Sequence, residues 1–317
     1  MAVRGAPLIG AVAAYGLALA ARANPHHDNL EAARRLLGGA RPTGANLVWA
    51  LDRVMGAVRS LPPGRREDAA YAEAGRICEE DVAIGRAIGH HGAGLIDALW
   101  EEVGRRRPVE VLTHCNTGWL ATVGRGTALA AVYEAFERGI GVHVWVDETR
   151  PRNQGAGLTA WELEQMGVPY TVVVDSAGGY LMQRRLVDVV LVGTDRTTAR
   201  GDVCNKIGTY LDALAARATD IPFYVAAPSP SIDWGIHDGL REIPIEERDP
   251  AEVAEVAGLG GSGRIESVRV VPPRAAAANW AFDVTPAELV TGLITERGIA
   301  SADPDDLARL FPERRRA

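Results

Sequence analysis

Val109-Glu110-Val111-Leu112-Thr113-His114-Cys115-Asn116-Thr117-Gly118 is the stretch that decides the fold. It follows Pro108. A short β-branched, apolar run ends abruptly in small polar residues and a glycine. That pattern predicts a buried strand feeding a loop, not an amphipathic helix. Similar runs recur at Gly141–Asp147, Tyr170–Asp175, Val187–Gly193 and Phe223–Ala227. Helical stretches lie between them, at Leu120–Arg138, Leu158–Met166, Tyr180–Arg185 and Lys206–Ala216. Strand–helix alternation with continuously apolar strands predicts a parallel, doubly wound α/β sheet.

Upstream of Arg105-Arg106-Arg107-Pro108 the pattern is helical. Candidate helices are Pro7–Ala23, Asn29–Leu37, Asn46–Ser60, a long one from Arg66 towards His91, and Leu95–Val103. The expected organisation is a helical N-terminal domain, residues 1–108, followed by the sheet domain, residues 109–317. Gly258–Gly263 reads as a loop. Ala6–Ala23 is apolar and Ala/Gly-rich behind Arg4, so it imitates a secretory signal. Glycines and Arg22 argue against a membrane span, and Pro7 suits the first turn of a buried helix.

With 47% apolar and 24% charged residues in 317, the composition is that of a globular protein. A net charge of -7 speaks against a general nucleic-acid or anionic-membrane binder. Cys78, Cys115 and Cys204 lie far apart with no CxxC spacing, which predicts neither a disulfide framework nor a zinc site and suits a reducing cytoplasm. Of the 34 basic side chains, all but Lys206 are arginine. A compact ammonium and a planar guanidinium are not equivalent at a tight anion site. Lys206 is therefore a candidate functional residue, although arginine bias also follows from GC-rich coding.

Ligands bind open parallel sheets at the carboxyl ends of the strands, and the reactive residue types collect there. They are Thr113–Gly118, Asp147–Gly155, Asp175-Ser176, Gly193–Arg196 and Pro228–Ser231. Cys115, at a strand-to-loop junction, is either an inert buried thiol or a soft acid/base near loop amides. Asp195 before Arg196 is either an ion pair or cap, or a catalytic carboxylate. At adjacent strand ends the two would suit proton relocation on a small substrate. Gly124-Arg125-Gly126 imitates a dinucleotide fingerprint, with Asp147 as its ribose acid. The glycines lie too far past the strand, and Leu129 stands where the third glycine belongs. The pairs His26-His27 and His90-His91 read as surface or packing residues; no metal site is expected.

Several stretches are similar to the methylthioribose-1-phosphate isomerases, of the family that includes the regulatory subunits of eukaryotic translation initiation factor 2B. They are Val3–Pro7, Arg41–Thr43, Thr113–Gly118, Glu148–Pro151 with Gln154-Gly155, Gly193–Arg196, Gly201–Tyr210, Ile243–Arg248 and Ala281–Pro286. The resemblance implies a Rossmann-like second domain, a homodimer, a small sugar-phosphate substrate and no cofactor. It implies that Cys115 and Asp195 are the catalytic pair, and that Arg4, Gly5, Ala6, Arg41, Gln154, Asn205 and Lys206 contact the substrate. Loss of Arg4 by cleavage would contradict it, so the signal-peptide alternative falls away. Relatives usually carry some tens of residues before Val3, and Thr194, Gly155–Gly157 and Cys204 depart from the commoner wording. The implied reaction converts 5-methylthioribose 1-phosphate to its ketose in methionine salvage. The alternatives are isomerases of 5-deoxyribose 1-phosphate or ribose 1,5-bisphosphate, and a non-catalytic sugar-phosphate-sensing subunit.

Overall fold

The structure is a computed structural model and describes residues 3–314. Four helices come first: α1 (Ala6–Ala23), α2 (His27–Gly38), α3 (Ala45–Val58) and α4 (Pro63–Glu102). The α1 stripe Ala14, Leu17, Ala18 and Ala21 packs on Leu51 and Val54 of α3 and on Ala74 and Ile77 of α4. Its length and composition alone would suffice to cross a bilayer, but this face is the centre of a helical core.

The sheet region opens with β1 (Val109–Thr113), α5 (Ala128–Glu137), β2 (Val142–Asp147), α6 (Ala160–Met166), β3 (Tyr170–Val173), α7 (Ala177–Gln183) and β4 (Val189–Gly193). Then follow β5 (Arg196–Thr198), β6 (Val203–Lys206), α8 (Thr209–Ala218), β7 (Phe223–Ala226), β8 (Ile232–Asp233), α9 (Gly239–Glu242) and α10 (Ala251–Ala254). The chain closes with β9 (Glu255–Leu259), β10 (Ile265–Arg269), β11 (Phe282–Thr285), β12 (Gly292–Thr295), β13 (Gly298–Ala300) and α11 (Pro304–Leu310).

Seven strands form the main sheet in the order β13-β12-β7-β4-β1-β2-β3. Every pairing is parallel except β12 with β13. The fold is thus the expected Rossmann-like doubly wound α/β sheet behind a helical N-terminal region. Chain order runs outward in one direction from β1 and in the other from β4. The crevice between their carboxyl ends is the switch point at which such sheets bind ligands.

Three local expectations change. The stretches from Arg66 and from Leu95 are one continuous 40-residue helix, α4. Gly92 does not interrupt it. A Cβ there would lie 2.4 Å from the Ala131 Cβ, so the glycine lets α5 close against α4. The first half of α4 lies in the helical core, while Ile88, Ala93 and Ile96 of its second half join Val109, Val111 and Ala131 in the sheet core. Lys206 does not open a helix but ends β6, in a second sheet of order β11-β6-β5-β8. Antiparallel pairing with β11 and β5 holds Val203–Lys206 extended until α8 begins at Thr209. Gly258–Gly263 spans the turn of an exposed hairpin between β9 and β10.

Candidate active site

Cys115 stands two residues beyond β1 and is buried. Its φ of 66° is left-handed, which for a non-glycine residue has to be held by its surroundings. Two hydroxyls hold it. The Cys115 amide donates to Thr149 Oγ1 at 2.8 Å, and Thr159 Oγ1 donates to the Cys115 carbonyl at 2.6 Å. Arg4 Nη2 donates to Sγ at 3.6 Å. The same guanidinium donates to the Asn116 carbonyl at 2.9 Å and to Asn116 Oδ1. The N-terminal region is thereby tied to the thiol loop.

Buried Glu162 of α6 fixes the rest of that loop. It accepts from Asn116 Nδ2 at 2.8 Å, from the Trp119 and Leu120 amides at 2.8 and 3.1 Å, and from the Tyr133 hydroxyl at 2.8 Å. Gly126, at φ 90°, lies so close beneath the loop that a Cβ would be 2.7 Å from Thr117 O. The dinucleotide-like glycines therefore serve loop packing. Asp147 is fully buried against His114 and does not present a ribose-binding carboxylate.

Asp195 follows β4 across the switch point. Its amide donates to the Cys204 carbonyl at 2.9 Å, and its own carbonyl accepts from Ala45 N at 3.0 Å. Its carboxylate makes no side-chain hydrogen bond among the described residues. Burial pushes its pKa above the ordinary value, Lys206, Arg4 and Arg41 pull it back, and Glu246 pushes it up. The carboxyl group is thus biased toward holding a proton while facing three cations. Arg196 is not its ion-pair partner. Arg196 bonds Asp233 at 2.9 Å and the carbonyls of Thr43, Pro42 and Gly44 at 2.8, 3.0 and 3.3 Å. It clamps the segment that follows Arg41.

Lys206 is buried, with Nζ donating to the Ala281 carbonyl at 2.8 Å and lying 4.7 Å from the Phe282 ring centre. Burial lowers its pKa, the electrostatic influence of Cys115 and Asp195 raises it, and Arg248 and Arg41 lower it further. Cys115, Asp195, Lys206 and Arg4 therefore form one electrostatic cluster. Arg41 reaches the same cluster and is held by Glu246, with Nε at 3.0 and 3.1 Å from its two carboxylate oxygens. Gly5, at φ 89°, sits where a Cβ would be 2.3 Å from Ala121 O, so the tight entry into α1 excludes side chains. Ala6 begins α1 beside Gly44, which in turn abuts the Asp195 carbonyl. The first amides of an 18-residue helix are thus brought to the Asp195 side of the crevice.

Two expected contacts sit at the margin. Gln154 lies in the loop after β2, and its buried Oε1 has no donor among the described residues. Asn205 on β6 donates to Thr209 Oγ1 at 3.0 Å. Residues not singled out from sequence include Glu162, Glu246, His114 and Asp212. Buried carboxylates spaced far along the chain have no local signature, although Ile243–Arg248 already stood among the matched stretches. Cys204 is buried, and burial pushes its thiol well above the ordinary range. The paired histidines are surface or packing residues, with His26, His27 and His90 exposed and His91 half-buried.

A buried thiol and a proton-biased carboxyl group across a doubly wound switch point, surrounded by arginine and lysine, define a Rossmann-like protein built for acid–base work on a small anion. The chain belongs to the Initiation factor 2 subunit family, whose model matches residues 2–302. It is 62% identical over 314 residues to the methylthioribose-1-phosphate isomerase of Methylocella silvestris, covering 99% of this chain and 86% of that one. The structure resembles that of 5-methylthioribose 1-phosphate isomerase from Pyrococcus horikoshii, with a TM-score of 0.78, 39% identity and coverage of 99% and 85%. It also resembles translation initiation factor eIF-2B, subunit delta, from A. fulgidus, with a TM-score of 0.74, 38% identity and coverage of 98% and 88%.

Proposed function

We propose that this chain is an aldose–ketose isomerase that converts 5-methylthioribose 1-phosphate to 5-methylthioribulose 1-phosphate in methionine salvage. The observation that carries the proposal is the meeting of Cys115 and Asp195 with Arg4, Arg41 and Lys206 at the switch point. The names of relatives sharing about 62% of its residues over 99% of this chain and 86% of their own length support it. A sensing subunit would need the cations but has no use for a thiol beside a proton-biased carboxyl group.

The C1 oxygen of this substrate carries phosphate, so the ring cannot open to a free aldehyde. Asp195 protonates the ring oxygen as the C1–O4 bond breaks, then takes the proton of the 2-hydroxyl as C2 becomes a ketone. The hydrogen on C2 passes to C1. Cys115 carries it as a proton; the competing path is a direct hydride shift that Cys115 only shapes. Arg4, Arg41 and Lys206 hold the phosphate, the Gly5 and Ala6 amides add donors, and Gln154 and Asn205 bond sugar oxygens.

Turnover of a panel comprising methylthioribose, 5-deoxyribose and ribose 1-phosphates plus ribose 1,5-bisphosphate tests the function. Failure on the methylthio sugar with turnover of another would overturn it. Reaction in deuterium oxide tests the role of Cys115: deuterium at C1 is expected, and a product without it would count strongly against proton shuttling by Cys115.

The protein is further proposed to be a cytoplasmic homodimer. Free thiols at Cys78, Cys115 and Cys204 suit a reducing compartment. Val172 and Val174 at the β3 edge, Tyr180 on α7 and Leu211 on α8 are exposed apolar side chains, and α7 packs on α8. A second copy of the chain is the occupant this face suits.

A further inference from the structure

Arg4 stands between the two reacting groups, and its place is set by side chains to which the reaction above gives no part. Its Nη2 donates to Cys115 Sγ at 3.6 Å and to the Asn116 carbonyl at 2.9 Å, while Nη1 donates to Asn116 Oδ1. Asn116 thus offers two acceptors, one backbone and one side chain, to a single planar fork, which an arginine can present and a lysine cannot. A guanidinium has five N–H groups. Three are engaged here, and the Nε proton and the second Nη1 proton have no acceptor among the described residues. The charge of Arg4 also reaches Asp195 on the other side of the crevice.

The aim of Asn116 is itself fixed. Its buried amide gives one N–H to Glu162 Oε1 at 2.8 Å and one to Thr159 Oγ1 at 3.3 Å. Thr159 commits its only hydroxyl proton to the Cys115 carbonyl at 2.6 Å, so toward Asn116 it can only accept. With the amide turned over, Oδ1 would face two acceptors and Nδ2 would face the Arg4 guanidinium, and neither end would have a partner. The orientation that serves Arg4 is therefore the one that Glu162 and Thr159 impose.

Glu162 reaches Arg4 by a second route. Gly118 admits the carboxylate, since a Cβ there would be 1.8 Å from Glu162 Oε2. The amides of Trp119 and Leu120, which Glu162 holds, lead directly to Ala121, and the Ala121 carbonyl lies against Gly5. Arg4 is thus fixed at its backbone through the turn on which Gly5 packs, and at its guanidinium through Asn116.

We propose that Asn116, aimed by Glu162, is a positioning residue that holds Arg4 against the Cys115 sulfur, so that one guanidinium serves the thiol while its two remaining N–H groups meet the substrate phosphate. Arg4 is then a catalytic residue as well as an anion contact. The phosphate half rests on the isomerase proposal; the coupling of Asn116 to the thiol does not. A guanidinium held at the sulfur stabilises the negative charge left when a thiol gives up its proton. Without the Asn116 side chain, Arg4 keeps its charge near the phosphate but loses its place at the sulfur. That loss should lower kcat by about 10- to 100-fold, with KM raised by less than about threefold.

Alkylation of Cys115 in the substrate-free, full-length chain tests the coupling independently of turnover. Iodoacetamide reacts with the thiolate, and peptide mass spectrometry separates Cys115 from Cys78 and Cys204. At neutral pH, Asn116→Ala and Arg4→Gln should each slow modification of Cys115 by about five- to tenfold. A side chain that only braces the loop predicts the opposite sign, because a loosened loop exposes the buried thiol and speeds its reaction. Unchanged or faster alkylation in either folded variant would overturn the proposal. Should Asn116→Ala not fold, Asn116→Ser, which keeps a hydroxyl but withdraws the amide acceptor from Arg4, takes its place. In kinetics with methylthioribose 1-phosphate, Asn116→Ala should lose kcat with KM nearly held, whereas Arg4→Gln should lose in both. A kcat within about twofold of the parent in folded Asn116→Ala would overturn the positioning role, and a rise in KM alone for Arg4→Gln would confine Arg4 to the phosphate. The expected alkylation pattern in a chain that turns over no sugar phosphate would sink the isomerase proposal alone.

Discussion

Replacing Lys206 by methionine removes one charge and little volume. Nζ already gives one proton to the Ala281 carbonyl, which leaves two for a ligand. A charge-assisted hydrogen bond to phosphate contributes roughly 1.5–3 kcal/mol, so the loss predicts a rise in KM of about 10- to 150-fold. The folded protein should not suffer in proportion. Burial holds the Lys206 pKa below its ordinary value, so the charged form is destabilised in the ligand-free fold. Between that lowered value and the ordinary lysine pKa, the unfolded chain binds more protons than the native one, so this residue makes stability rise with pH there. Lys206→Met should abolish that increment and melt no lower than the parent at neutral pH. Steady-state assay of methylthioribulose 1-phosphate formation, run from neutral pH upward, gives a second signature. The parent's KM should climb as Lys206 deprotonates, and the variant's should not. A folded Lys206→Met chain with KM within about twofold of the parent would refute the phosphate role.

Cys115→Ser and Asp195→Asn should each lower kcat by about 10²–10⁴-fold, the range of a lost acid–base group, with thermal melting nearly unchanged; full turnover by either would remove that residue from the chemistry. Arg196→Ala should lower unfolding stability by about 1–3 kcal/mol, as its carbonyl partners lose a charged donor and Asp233 is only part-buried, and should raise KM by loosening the Arg41 segment. Urea denaturation measures the first effect, and a change under about 1 kcal/mol would show the clamp to be dispensable. Tyr180→Arg combined with Leu211→Asp should yield a monomer by sedimentation at micromolar concentration, whereas an unchanged dimer would place the contact elsewhere.

Strands β1, β2, β4 and β7 were legible because they are mostly buried and so read as apolar, β-branched runs, and the edge strand β3 was legible from its β-branched composition although half of it is exposed. The second sheet was not. β5, β6 and β8 are two to four residues long and include Arg196, Thr197, Thr198, Asn205 and Lys206, whose burial depends on partners far along the chain. Val203–Lys206 runs straight into an amphipathic helix, which masked its extended pairing with β11. The expected split of α4 falls between His91 and Leu95, where Gly92 serves the close approach of α5 and the helix runs on unbroken. At the site, Cys115 and Asp195 were visible as polar residues at strand ends. The carboxylate that holds the Cys115 loop was not, since Glu162 sits on a helix among apolar neighbours with no spacing to mark it.

α4 has a thermodynamic consequence of its own. A 40-residue helix is about 60 Å long, and its two halves are anchored in different cores. Neither core can lose its share of α4 without fraying the backbone ladder into the other. Arg4 and Arg41 reach from the helical region to groups following β1 and β4, so the crevice itself is a further seam between them. The chain should therefore melt as one cooperative unit, with calorimetric and van't Hoff enthalpies in agreement. A cut in the middle of α4 should release two fragments that are each unstable alone.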